Sequence, residues 1–147
     1  MNRWTVFLAA FTWLGCGGDN TKAITDGEVT GPDAPDEDPP LIEHEPIDSA
    51  QPINREVGIE AIVTDELSVI DTVAVIYKRH DVETWSSSLL EESDAATSTW
   101  SGSIPGPEVN GSNVFYFIHA IDAAGNESFF PPDGEANPAS FRVNPDA

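Results

Sequence analysis

From residue 40 onward the chain breaks into short segments of alternating apolar and polar residues, each closed by Pro, Gly, Asn or Asp. This rhythm limits the fold more than any other feature. A side-chain period of two suits a pleated strand with one buried face, whereas an amphipathic helix needs about 3.6. In residues 57–64, Val57, Ile59, Ala61 and Val63 alternate with Gly58, Glu60, Ile62 and Thr64. In residues 69–78, Val73, Val75 and Tyr77 share one face, with Thr72, Ala74, Ile76 and Lys78 on the other. Residues 113–122 are the most apolar stretch, and residues 97–104, carrying Trp100, end at Pro105-Gly106-Pro107. Residues 41–47 read as an edge strand with Pro at both ends, residues 82–90 as a weaker strand around Trp85, and residues 139–143 close the set. Only residues 86–96 are ambiguous in period. The expectation is all-β: about seven antiparallel strands in a sandwich or barrel.

Charge excludes several partners. Of 147 residues, 26 are Asp or Glu and 6 are Lys or Arg, a formal net charge of −20. A nucleic-acid binder neutralises phosphates with basic side chains, and this chain repels them. Attraction to an anionic membrane surface fails for the same reason. The single cysteine, Cys16, permits neither an intrachain disulfide nor a multi-cysteine zinc site.

Before the strands, two segments differ in composition. Arg3 precedes an uncharged, mostly apolar run at residues 4–14, and Gly15, Cys16, Gly17 and Gly18 follow. A charged start, a short apolar stretch and small residues have the build of a secretory signal peptide. As a helix, residues 4–18 would span about 22 Å, short of a hydrocarbon core of about 30 Å. Residues 17–39 are rich in Gly, Pro, Asp and Glu and poor in large apolar side chains, so they cannot offset their ordering entropy by burial. They are expected to form an extended acidic tether, about 70 Å long as polyproline II. The acids Asp33, Asp36, Glu37 and Asp38 lack the spaced oxygens and turn glycine of a calcium loop and read as solvated spacer.

Leu14-Gly15-Cys16-Gly17 resembles the lipobox of bacterial lipoproteins, with Trp13 where that family usually has Leu. The resemblance implies cleavage between Gly15 and Cys16, lipid on the Cys16 thiol and an acylated new amino terminus. Membrane attachment would then run through that lipid, because several acyl chains together give stable anchoring. Gly17 in place of Asp implies an outer-membrane rather than an inner-membrane envelope location. The implied organisation is signal peptide 1–15, lipid-anchored acidic Pro/Gly-rich tether 16–39 and folded domain 40–144.

The domain has its own resemblance. Ile59-Glu60-Ala61-Ile62-Val63-Thr64-Asp65, Val73-Ala74-Val75-Ile76-Tyr77-Lys78 and, most specifically, residues 116–128 (YFIHAIDAAGNES) are similar to the fibronectin type III/immunoglobulin-like modules of exported bacterial proteins. This implies a seven-stranded antiparallel sandwich. The fibronectin tyrosine-corner position is Val114 here, and Tyr116 falls on the same side as Ile118 and Ala120, inward. The buried Cys pair of antibody domains is absent, so Trp85, Trp100, Tyr77 and Tyr116 are expected to fill the centre.

Candidate chemistry is sparse. Asp122, Gly125 and Asn126 make a structural turn, the Asp accepting backbone N–H bonds and the Gly free to take positive φ. A calcium site from Asp122, Asn126 and Glu127 has too few oxygens by itself. Trp85 and Trp100 are core residues in the first instance and a sugar-stacking pair in the second. His44 lies beside the entrance strand, His80 at a turn and His119 inside a central strand, three unlike places. Ser86-Ser87-Ser88 has no glycine-flanked turn to make a nucleophile, and Glu91, Glu92 and Asp94 read as a water-facing charge cluster. Asn110-Gly111 reads as a tight turn; Asn110 and Asn126 also begin glycosylation sequons. No catalytic residues, metal ligands or cofactor are expected. The expected role is a non-catalytic envelope lipoprotein displaying a binding, adhesion or spacer module, with a protein or glycan ligand and no nucleic acid. The alternatives are an accessory subunit of a periplasmic assembly and a carbohydrate- or calcium-dependent binder.

Overall fold

The computed structural model describes residues 35–146. The expected signal peptide, Gly15, Cys16 and most of the tether lie outside the described residues. Nine strands follow in chain order: β1 (Leu41–Glu43), β2 (Gln51–Pro52), β3 (Val57–Thr64), β4 (Ile70–Arg79), β5 (Ser86–Asp94), β6 (Thr99–Ile104), β7 (Asn113–Asp122), β8 (Glu127–Phe130) and β9 (Ala139–Asn144). Two short 3₁₀ turns, Gly106–Glu108 and Gly134–Ala136, are the helical content of the described residues. The strands hydrogen-bond in the order β1-β3-β6-β5-β4-β7-β9-β2, one curled sheet, with β8 on β7.

The period-two patterns become faces. β3 alternates buried and exposed without a break, Val57, Ile59, Ala61 and Val63 pointing in. β4 sends Val73, Val75 and Tyr77 to the same interior, and β7 adds Val114, Tyr116, Ile118 and Ala120. Each Val or Ile among them stabilises the fold by about 1.5–3 kcal/mol through burial. Two strands work unusually. β5 pairs with β4 through residues 86–90 and with β6 from Glu91 on, so one strand joins both halves of the curl. β7 carries two partners end to end on one edge, β9 against residues 113–116 and β8 against residues 118–121. Pro131 and Pro132, which cannot donate to a ladder, lie where β8 stops.

The strand count therefore differs from the expected seven. β2 pairs in parallel with β9 over two residues, and β8 occupies what reads as a turn. Both are too short to show a period of their own. β1 stops at Glu43, and Trp85 stands just before β5 rather than within a strand.

Beyond β1 the chain is pinned by two aromatic groups. His44 Nδ1 donates to the Glu60 carbonyl oxygen at 2.6 Å, and in the neutral ring Nε2 then accepts from the Tyr116 hydroxyl at 3.1 Å. That hydroxyl also accepts the Ile47 N–H at 3.0 Å. Burial pushes the Tyr116 phenol above its ordinary range, partly opposed by the Ile47 bond. Tyr116 points inward as its spacing requires, and it fastens the β1–β2 connection to the central strand.

Candidate functional site

β7 ends at Asp122, whose side chain is only 2% exposed. The turn after it is built as its residue types dictate. Asp122 Oδ1 accepts the Asn126 N–H at 2.8 Å, Oδ2 accepts the Asn126 amide at 2.8 Å, and Gly125 takes φ +94°. A Cβ on Gly125 would meet nothing within 4 Å, so backbone conformation, not space, calls for glycine there. Burial raises the Asp122 pKa, but hydrogen bonds from the Asn126 side chain and from the N–H groups of Asn126, Gly125 and Ala124 outweigh it. The carboxyl is held below the ordinary range.

Two more carboxylates reach the same place. Asp65, just after β3, accepts the N–H groups of Leu67 at 2.8 Å and Ser68 at 2.6 Å, which folds residues 65–68 into a tight turn. Asp36 accepts the Ser68 hydroxyl through one oxygen and the Asp38 N–H at 3.1 Å through the other. One oxygen from each of Asp36, Asp65 and Asp122 lies within 4.8 Å of the others. The ion pairs among the described residues, Arg79–Asp81 and His119–Glu127, do not involve these three. The positive end of a dipole enters instead. Asn126 Nδ2 lies 2.8 Å from Asp122 Oδ2 and 3.2 Å from the carbonyl oxygens of both Asp36 and Asp38. Two amide hydrogens are thus shared among three acceptors.

Chemically this is a set of hard oxygen donors. Carboxylate and carbonyl oxygens are what calcium takes, about six to eight of them, with water completing the shell. Asp36, Asp65 and Asp122 are the residues that could hold such an ion, with Ser68 and the carbonyls of Asp36 and Asp38 nearby. The composition differs from the set suggested by spacing. Of the expected three, only Asp122 supplies an oxygen: Asn126 enters through its amide N–H donors, and Glu127 is on the outer face, its carboxylate 3.0 Å from His119 Nε2. Asp36 and Asp65 were missed: Asp36 was read as spacer, and Asp65 was given no role beyond closing the string at residues 59–65. The available signal was Asp65-x-x-Ser68, a side chain able to cap its own turn.

The remaining candidates separate. Trp85 does not fill the centre as expected: it is half-buried outside the core, where Nε1 donates to Glu135 at 2.9 Å, the Lys78 ammonium stands 4.7 Å from the ring centroid, and Phe117 packs edge-on at 5.1 Å. Trp100, on β6 opposite Ala61 and Glu92, packs against the core. The two tryptophans do not form one platform. His119 stacks on Phe129 at 4.7 Å. His80 stands at the end of β4, its backbone bonded to Asn113, away from His44 and His119 on the register. Neither the protein-family models nor the curated proteins contain a match to this chain.

Proposed function

We propose that this chain is a non-catalytic bacterial envelope lipoprotein. Lipid on Cys16 anchors it and an acidic tether spaces it from the membrane. One immunoglobulin-like/fibronectin type III-like sandwich is then presented for binding, adhesion or spacing. The strand order of the curled sheet supports the sandwich: bent at the middle of β5, it would divide into β1-β3-β6 with the second half of β5 and the first half of β5 with β4-β7-β9. This is the arrangement of such modules, with β2 and β8 as short additions. The single observation that carries the display reading is how the tether meets the domain. Asp36 and Asp38 are bonded to Ser68 and Asn126, so the chain enters at a defined point of the fold. Membrane fractionation of the native protein beside Cys16→Ala tests the anchor: the variant is released into the soluble fraction. Equal membrane retention of both would sink the anchor, and protease shaving of intact cells shows which face of the outer membrane the domain occupies.

A second reading, a calcium-dependent module, is favoured by the convergence of Asp36, Asp65 and Asp122. A ligand that binds only the folded state stabilises it by about 2.7 kcal/mol at a hundredfold excess over Kd. Calcium is then expected to raise the Tm of the native protein by several degrees and to leave Asp36→Asn/Asp65→Asn unmoved. A native Tm indifferent to both calcium and EDTA removes this reading and leaves the first intact.

A further inference from the structure

The Asn110-Gly111 turn has a neighbour that its sequence does not reveal. Arg79 on β4 pairs with Val114 on β7, and one step further the His80 N–H donates to the Asn113 carbonyl at 3.1 Å. This register brings the imidazole against the turn: a Cβ built on Gly111 would lie 3.3 Å from His80 Nδ1 and 3.8 Å from Asp81 Oδ1. Gly111 is exposed, has no side chain to shield its amide, and holds φ +79°. Its N–H donates to Asn110 Oδ1 with the nitrogen 2.7 Å away, so the nucleophile of an intramolecular reaction is already held beside the amide it would attack, and breaking that bond frees the proton for a base.

We propose that Asn110-Gly111 is a self-modifying site, at which the Asn110 amide is lost with His80 as the general base. The Gly111 backbone nitrogen gives its proton to the His80 imidazole and forms a bond to Asn110 Cγ. The Cγ–Nδ2 bond breaks, and Nδ2 leaves as ammonia, taking the proton back from the imidazolium. The five-membered imide that remains is opened by water. Hydrolysis of the bond to Cγ gives Asp; hydrolysis at the backbone carbonyl gives isoaspartate, whose main chain runs through the former side chain. Either product adds a negative charge near Asp81. Either also removes the amide donor that Asn110 presents to Asn54 Oδ1 at 3.4 Å.

The test follows the full-length native protein during incubation at neutral pH. Peptide mass spectrometry reads conversion at each Asn, and a methyltransferase specific for isoaspartate provides a second readout. Asn110 is expected to convert at least about tenfold faster than Asn54, Asn113 or Asn144, which have no following glycine. His80→Ala slows conversion by on the order of tenfold or more, and free imidazole in the buffer restores part of the rate. The exposed position of His80 lets the variant fold, which an unchanged circular dichroism spectrum checks. Conversion of Asn110 no faster than of the other asparagines would overturn the site. An unchanged rate in His80→Ala would overturn the role given to the imidazole.

Discussion

At the residue scale, Asp122 joins two effects that usually oppose each other. It is buried, which raises its pKa, yet its carboxyl is held below the ordinary range by hydrogen bonds from the turn it organises. A group whose folded pKa is depressed contributes stability above its unfolded value, about pH 4, and loses it as pH falls through the folded value. Urea midpoints of the native protein are therefore expected to fall below about pH 4. Asp122→Asn should lower the midpoint at neutral pH and flatten that acid limb; a variant with an unaltered limb would mean that other carboxylates dominate it. Asp122, Gly125 and Asn126 were legible as a turn because each residue type has a local reason to be there. Asp36 and Asp65 were not legible as partners, because what unites them is tertiary. Residues 29 and 57 positions apart come together only when strands of both halves of the curl are in register.

The element scale repeats that lesson. β3, β4 and β7 were readable because one face of each is buried, which forces alternation over eight to ten residues. β2 and β8, with two and four residues, owe their existence to pairing with β9 and β7, and no pattern that short is informative. β5 was misplaced for a different reason: its outward serines and acids carry little hydrophobic signal, and Trp85 drew the expected strand toward itself. β7 holds β4, β8 and β9 together and has the deepest side chains, so it is the element whose damage should spread. Ile118→Ala, in a fully buried position on β7, is expected to cost about 2–5 kcal/mol. Ile62→Ala, 39% exposed on β3, should stay within about 0.5–1 kcal/mol. Chemical denaturation distinguishes them, and equal losses would contradict the assigned faces. Hydrogen exchange should be slowest along β4 and β7 and fastest in β1 and β8.

Across the whole molecule, a net charge of −20 works against compactness while keeping copies apart. Salt shortens the reach of that repulsion, from about 30 Å at 0.01 M to about 3 Å at 1 M. The Tm should accordingly rise with sodium chloride, and a flat or falling Tm would show that local hydrogen bonds, not long-range repulsion, set the balance. The point of entry has a mechanical meaning as well. Residues 36–38 are held by one amide and one hydroxyl, and the chain then runs straight into β1, three residues bound only to β3. Tension drawn along the N-terminal segment therefore reaches the Asn126 clasp first and the short β1 seam next, while the β4–β7 ladder bears it last. Under load the clasp and seam are expected to part before the core, like a fuse, while the rest of the domain stays folded.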